Sequence, residues 1–311
     1  MSYYYDRRDK AVRTRDEIFK DPGGGVFHWF DKKTGKIIEK ELPWVLKNRY
    51  LNLLERIKDD AIAYFEKNDI EWHKDAAEEP KKGPEGHLLS SNIACINHLF
   101  FLRQRPDLVT LILKNIDPRI INAERIDDGY IEFEKMGGIE QNPLGEVNDG
   151  NGRKRGYKST SIDALMVGKK DNGKNILLLI EWKYTEKGEK SYRPSQNHSV
   201  YKKLLRNENC PINLPENIDK LLCEPYYQPM RQTLLGWKMV ELKEYDSDEY
   251  IHLHIIPRDN IEMRKNLVWD NLLKSQYQKR YKVISPDDLF NPLINLQDIK
   301  SYIEYLKFRY W

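Results

Sequence analysis

The sequence predicts an α/β fold in which a mixed β-sheet is flanked by helices. Two short apolar runs, 161–168 and 176–183, are joined by a polar segment that contains Asp171-Asn172-Gly173, which is typical of a β-hairpin. Segments with apolar residues at helical spacing lie before and after this hairpin in the chain. With 311 residues, 40% of them hydrophobic, the chain can bury one large core or two smaller ones.

Residues 1–86 are predicted to form a helical accessory segment, and residues 87–311 the main domain. The features of the first segment, in order, are a breaker at 22–25, a turn at 32–35, apolar residues at helical spacing from Leu46 to Phe65, and a linker at 78–85. A helix should then begin at Ser90 or Ser91, either of which can cap it, and end before Pro106.

Further elements are predicted on both sides of the hairpin. Residues 130–134 alternate as a strand with Glu132 and Glu134 on one face, and 250–257 alternate with His252 and His254 on one face. A long loop at 207–225 precedes a helix from about 226 to 243, and spacing at 299, 303 and 306 predicts a terminal helix. Glu134 either joins a metal site or lies on a polar strand face, and we expect the two histidines to be structural.

The hairpin loop decides which side chains meet at the far end of its two strands. If the loop is the three residues 171–173, with Gly173 left-handed, Lys170 pairs with Lys174 and Asp163 lies opposite Glu181. Lys183 is then on the same face, because strand side chains alternate. A two-residue loop, Asn172-Gly173, would shift the register by one and turn Asp163 away from Glu181.

Two carboxylates and an amine that converge on one point suit metal-dependent phosphodiester hydrolysis. The carboxylates repel each other unless a positive charge lies between them. Mg²⁺ usually takes one or two protein carboxylates and completes its shell with water and substrate oxygens. A lysine beside it can orient water and stabilise charge on a phosphate. The alternative is a structural ion pair between Asp163 and Lys183.

The pattern Asp163 followed by Glu181-Trp182-Lys183 resembles the signature of the PD-(D/E)XK nuclease superfamily, except that Ile162 replaces its proline. Segments 87–91, 131–134, 180–186, 226–231 and 305–310 are similar to an uncharacterised branch described as restriction endonucleases. The resemblance implies a restriction-endonuclease-like fold in which Asp163, Glu181 and the Trp182 carbonyl bind Mg²⁺, or Mn²⁺ in its place. It also implies that Lys183 is catalytic and that Gln228, on the next helix, touches the site, unless Gln228 is exposed.

A nuclease also needs a surface that binds the nucleic acid around the cleaved bond. The segment before the site contains the basic residues Arg153, Lys154, Arg155 and Lys158, which could neutralise phosphates or form an ordinary solvated loop. Arg231, on the same side of its helix as Gln228, is a further candidate contact. A net charge of only +3 predicts no nucleic-acid partner by itself.

The predicted protein is therefore a Mg²⁺-dependent DNA endonuclease. We expect double-stranded DNA as substrate, a homodimer for cutting both strands, no membrane association and a cytoplasmic location, since no apolar run is long enough for a span and three cysteines form no Cys-x-x-Cys pair. The alternatives are a catalytically silent nucleic-acid-binding protein on the same fold and a repair or RNA-processing nuclease.

Overall fold

The predicted hairpin lies at the centre of the observed sheet. The computed structural model describes residues 2–31, 34–73, 83–138, 142–147, 155 and 159–311. Its strands are β1 Gly25–Asp31, β2 Lys36–Leu42, β3 Ile120–Ala123, β4 Glu132–Lys135, β5 Ile162–Lys170, β6 Asn175–Trp182, β7 Ser191–Tyr192, β8 Cys223–Glu224, β9 Ser247–Ile255 and β10 Tyr281–Ile284. Its α-helices are α1 Tyr3–Thr14, α2 Lys58–Lys67, α3 Ser91–Leu99, α4 Pro106–Ile116, α5 His198–Leu205, α6 Tyr227–Glu241, α7 Ile261–Asn266, α8 Ser275–Gln278, α9 Pro286–Phe290 and α10 Lys300–Arg309.

The contacts between residues divide the chain into two compact units. One unit is Met1–Phe101 with Ile294–Trp311, and the other is Leu102–Leu293. The division predicted at residue 86 assigned the terminal helix to the main domain, whereas these contacts place α10 with the N-terminal residues. Among the described residues, no helix is long and apolar enough to cross a membrane.

The second unit contains a mixed sheet in the order β10-β9-β6-β5-β3, with β4 also paired to β5. Strand β5 is antiparallel to β6, β3 and β4, whereas β9 is parallel to both β6 and β10. Parallel pairing of β6 with β9 requires a crossover connection, and the segment between them contains α5 and α6. The predicted fold class, a mixed sheet flanked by helices, is confirmed.

Helix α6 packs closely on the sheet and so fixes the position of its first turns. Met230, Leu234 and Leu235 are fully buried in one core cluster with Leu179 of β6. A Cβ at Gly236 would lie 2.9 Å from Leu179 Cδ2 and from Tyr250 Cδ2, so only glycine permits this approach. The predicted helix is confirmed, except that Leu242 lies beyond its end and is exposed.

The first unit corrects two predictions. It contains an unpredicted hairpin, β1 with β2, so the segment 1–86 is not helical throughout. The helix predicted from residue 46 forms only as α2, because residues 48–57 are two short 3-10 turns separated by extended backbone at Leu53 and Leu54. There Leu54 N donates to Asn97 Oδ1 at 2.7 Å, a tertiary contact that competes with the helix.

The N-terminal cap of α3 and the terminal helix are as predicted. Ser90 Oγ accepts from Ile93 N at 3.2 Å, α10 buries Ile303 and Leu306, and Ile299, which directly precedes that helix, is buried too. His98 Nδ1 is 2.6 Å from Ala94 O, and Trp311 Nε1 donates to its Nε2 at 3.1 Å. Both nitrogens of His98 thus have structural partners within this unit.

Candidate active site

The hairpin register places Asp163 opposite Glu181. Lys170 N donates to Lys174 O at 2.8 Å, and the pairing continues from Lys169↔Asn175 to Ala164↔Ile180. Gly173 has φ +80°, the left-handed conformation that a three-residue loop needs and glycine adopts without strain. The three-residue loop is therefore confirmed over the two-residue alternative.

Asp163 is fixed by the strand that faces it. Its Oδ2 accepts a hydrogen bond from Trp182 N at 2.6 Å, between Glu181 and Lys183. Asp163 remains partly exposed, whereas the side chain of Glu181 is only 2% exposed. The two acids thus lie side by side where β5 begins and β6 ends, and Asp163 is the more exposed of the two.

Lys183, Glu181 and Gln228 form a closed hydrogen-bonded triangle. Lys183 Nζ donates to Glu181 Oε1 at 2.6 Å and to Gln228 Oε1 at 2.6 Å. Gln228 Nε2 donates to the same Glu181 Oε1 at 2.7 Å. The first turn of α6 therefore delivers an amide to the two charged groups of the sheet, as the sequence predicted for Gln228.

Gln232 is a site residue that the sequence analysis missed. It is fully buried, and its Nε2 donates to Ser161 O at 3.0 Å and to Glu181 Oε2. It lies four residues after Gln228 on α6, hence on the same face. This i, i+4 pair of glutamines is the sequence signal that could have indicated it.

Glu134 also lies at the site, beside Ser161 and close enough to act on Asp163. Its Oε2 accepts from Ser161 Oγ at 2.8 Å, and its charge acts on Asp163. The backbone of Glu134 is left-handed, with φ +49°, so the regular alternation of β4 is interrupted there. Glu132 instead accepts from Tyr245 Oη at 2.7 Å and pairs with Lys135.

The electrostatics of the site favour a bound cation. Burial raises the pKa of Asp163 well above its usual range, and repulsion by Glu181 and then Glu134 adds to the rise. Burial by itself would lower the pKa of Lys183, but the charges of Glu181, Glu186 and Asp163 outweigh it and raise that pKa. Lys183 is therefore a cation at neutral pH, and it compensates only part of the acidic charge.

The donor set fits a hard divalent ion that keeps much of its hydration. Among the described residues, no three His, Cys, Asp or Glu side chains are gathered as an all-protein metal cage. Mg²⁺ needs only one or two carboxylates. A carboxylate oxygen has two lone pairs. Glu181 Oε1 uses both for Lys183 and Gln228, whereas Oε2 uses one for Gln232, so with respect to the described part of the chain one lone pair on Oε2 remains.

The structure describes two of the five basic residues that were predicted to contact nucleic acid. Arg153, Lys154 and Lys158 lie outside the described residues. Arg155 is paired with Glu132 at 2.5 Å, and its side chain is only 14% exposed. Arg231 donates to Thr160 Oγ1 at 3.3 Å and lies over the ring of Tyr227. Both arginines are held by protein groups, so a DNA contact would require their release.

The histidine pair on β9 is structural, as expected. Burial lowers the pKa of His252 to about 3, and both of its nitrogens have protein partners. His254, beside it at a ring separation of 4.7 Å, is also fully buried and neutral. With no nitrogen of His252 free, the two rings cannot together bind a transition metal.

Comparison with known proteins identifies the family. A family model described as "Restriction Endonuclease associating with ARP" (REase-ARP) matches residues 13–311, nearly the whole chain. The chain belongs to this family. Membership in REase-ARP indicates a nuclease-like function, in agreement with the fold. Searches of curated proteins and of solved structures found no match.

Proposed function

We propose that this chain is a metal-dependent DNA endonuclease of the PD-(D/E)XK type, in which Asp163, Glu181 and Lys183 carry the chemistry. The observation that supports it best is the hairpin register, which sets Asp163 opposite Glu181 with Lys183 Nζ 2.6 Å from Glu181 Oε1. The alternative interpretation of the sequence pattern was a structural ion pair between Asp163 and Lys183. In the structure, however, Lys183 binds Glu181 and Gln228, and Asp163 accepts from a backbone amide.

Asp163 and Glu181 would hold Mg²⁺ or Mn²⁺, together with the carbonyl of Trp182. Such an ion supplies charge for the phosphate oxygens and lowers the pKa of water near it. The remaining lone pair of Glu181 Oε2 and the partly exposed carboxylate of Asp163 are the protein oxygens suited to this task. A cation also relieves the repulsion that raises the pKa of Asp163.

Lys183 acts in this proposal as a fixed positive charge and hydrogen-bond donor. Its raised pKa keeps it protonated at neutral pH, so it does not act as a base; it orients water and stabilises charge that develops on the phosphate. Gln228 occupies one of its N–H groups and Glu181 another, which leaves the third for solvent or substrate. Gln228 thereby orients the ammonium group of Lys183.

The test is cleavage of plasmid and oligonucleotide DNA by the purified protein and by Lys183→Ala, with Mg²⁺, Mn²⁺ or EDTA. We expect metal-dependent cutting that the variant loses. Lys238→Ala is the matched control, because Lys238 lies on the surface of α6 in an ion pair with Glu241. Equal cutting by wild type and Lys183→Ala would overturn the assignment of the site.

Substrate and assembly are further parts of the proposal. A panel of duplex, single-stranded, branched and RNA substrates separates a restriction-type nuclease from a repair or RNA-processing one. Because each site cuts one strand, double-strand cleavage favours a homodimer, which sedimentation with and without duplex DNA would reveal. The family description also names ARP, so we propose a protein partner and would repeat the assay with it.

A further inference from the structure

A continuous line of buried hydrogen bonds ends on Glu181 and begins at an aromatic side chain distant in sequence. Trp269 Nε1 donates to Thr233 Oγ1 at 2.9 Å, and Thr233 Oγ1 lies 3.1 Å from His252 Nδ1. His252 Nε2 lies 3.2 Å from Gln232 Oε1, and Gln232 Nε2 reaches Ser161 O and Glu181 Oε2. Trp269, Thr233, His252 and Gln232 are each no more than 1% exposed.

The two ends of this line, with a neutral His252 ring between them, set the direction of every bond. The indole N–H of Trp269 can only donate, so Thr233 Oγ1 accepts from it and has its own hydrogen left for His252 Nδ1. At the other end, a carbonyl and a carboxylate can only accept, so Gln232 must present its NH₂ to Ser161 and Glu181. Gln232 Oε1 then faces His252 and needs a donor there.

His252 satisfies both requirements in only one form. Its Nδ1 must be bare to accept from Thr233, and its Nε2 must carry the hydrogen that Gln232 Oε1 accepts. This is the neutral imidazole with the hydrogen on Nε2. Burial lowers the pKa of His252 to about 3, with the charge of Lys183 adding to the effect, so this ring remains neutral at physiological pH.

We propose that Trp269, Thr233 and His252 are positioning residues that lock the amide of Gln232 so that it donates to Glu181 Oε2. This inference rests on the proposed function, because its purpose is to orient the remaining lone pair of that oxygen toward a divalent ion. If the Gln232 amide were reversed, its oxygen would face the oxygens of Ser161 and Glu181. The His252 Nε2–H group prevents that reversal.

The hydrogen-bonded line Trp269–Thr233–His252–Gln232, which we call the relay, also explains why the ring of His252 is neutral. A protonated His252 would present hydrogens on both nitrogens, so its bond with Thr233 would reverse and Thr233 would lose the acceptor of its own hydrogen. A hydrophobic residue would leave Gln232 Oε1 buried without a donor. Groups that orient a metal ligand in this way typically change metal affinity or activity about 10–100-fold when removed.

The first experiment measures the tautomer of His252 in the unsubstituted, metal-free protein. In ¹⁵N-labelled protein, with the signal assigned by its loss in His252→Gln, we expect a protonated Nε2 and a bare Nδ1 that do not change between pH 6 and pH 8. Hydrogen on Nδ1, or titration of the ring in this range, would refute the relay. This readout needs neither metal nor cleavage.

The second experiment breaks the relay at its hydroxyl group. Thr233→Val keeps the shape of the side chain but removes the hydroxyl group that bonds to Trp269 Nε1 and His252 Nδ1. We expect the Mn²⁺ affinity, measured by calorimetry, to fall about 10-fold. We expect kcat to fall with KM for DNA unchanged, because Thr233 is buried. Thr233→Ser should restore both, since it keeps the hydroxyl group.

Thr110→Val is the matched control, because Thr110, on α4, accepts through its Oγ1 from Ala123 N of β3, in the same unit but outside the relay. Metal affinity equal to wild type in Thr233→Val, or an equal loss in Thr110→Val, would overturn the proposal. Wild-type protein that neither binds Mn²⁺ nor cuts DNA would instead refute the proposed function. The tautomer measurement would still decide the relay, even if Thr233→Val did not fold.

Discussion

Replacing Lys183 by methionine removes a buried charge while nearly conserving volume. The side chains of Lys183 and Glu181 are 12% and 2% exposed, so the substitution strands a carboxylate in a low-dielectric setting. Breaking such a pair from one side costs about 3–5 kcal/mol. Glu181 keeps its hydrogen bonds from Gln228 and Gln232, so we expect a loss near the lower end, about 3 kcal/mol.

The double variant Lys183→Met with Glu181→Gln separates stability from function. Neutralising both partners removes the stranded charge, and the new amide at 181 can donate to Gln228 Oε1, which the lysine had occupied. We expect the free energy of unfolding to return to within about 1 kcal/mol of wild type. Cleavage should remain at least about 10²-fold reduced in both variants, because the charge that acts on the phosphate is absent.

The assay is urea unfolding in EDTA, followed by circular dichroism, alongside the cleavage rate in Mg²⁺. The cycle of two single variants and the double variant gives the coupling energy between the two residues. Lys238→Met is the control, since its partly exposed pair with Glu241 should contribute at most about 1 kcal/mol. Unchanged stability in Lys183→Met, or additive losses in the double variant, would refute a buried ion pair. Full activity in Lys183→Met would refute its chemical role.

Three further substitutions test the site and the fold around it. Asp163→Asn should abolish cleavage but raise the urea midpoint of unfolding in EDTA at pH 8. The folded state raises the pKa of Asp163, so the ionised carboxylate destabilises the fold at high pH, and a lower midpoint in the variant would contradict this. Gly173→Ala should lower the free energy of unfolding by about 1–2 kcal/mol, because φ +80° strains any L side chain even though no non-neighbouring atom of the described residues lies within 4 Å of the new Cβ. Gly173→Asn should cost less, since asparagine tolerates this conformation better. Burial lowers the pKa of His254, so this ring gains its proton only on unfolding and the free energy of unfolding falls as pH drops below about 6.5. His254→Phe should reduce that pH slope by up to about 1.4 kcal/mol per pH unit, and an unchanged slope would show that His254 does not contribute.

Much of the central hairpin could be predicted from the chain alone. The hairpin signal at Asp171-Asn172-Gly173 left a three-residue and a two-residue loop open, and the structure has the three-residue loop. With that loop, the alternation of strand side chains places Asp163, Glu181 and Lys183 on one face. Gln228 was predicted by resemblance and does touch the site. These are local relations, in which one turn and one periodicity fix the geometry.

The failures come from contacts between segments distant in sequence. The helix expected from residue 46 begins only at residue 58. Before that point, Leu54 N donates to the side chain of Asn97 and not to a carbonyl four residues earlier. The hairpin β1–β2 was missed, and strand alternation at Glu134 is broken by a left-handed residue. Local propensity is a weak guide wherever such tertiary contacts compete with it.

The sequence by itself therefore determined that the two strands form a hairpin and limited its register to two possibilities, of which the structure has the one that sets Asp163 opposite Glu181. Only the tertiary structure decided what surrounds them. Gln232 reaches Glu181 because α6 packs against β6, and His252 reaches Gln232 because β9 pairs in parallel with β6. Hydrogen bonds that join a helix, a sheet and the distant Trp269 depend on how separate elements pack, and no local pattern in the chain specifies that packing.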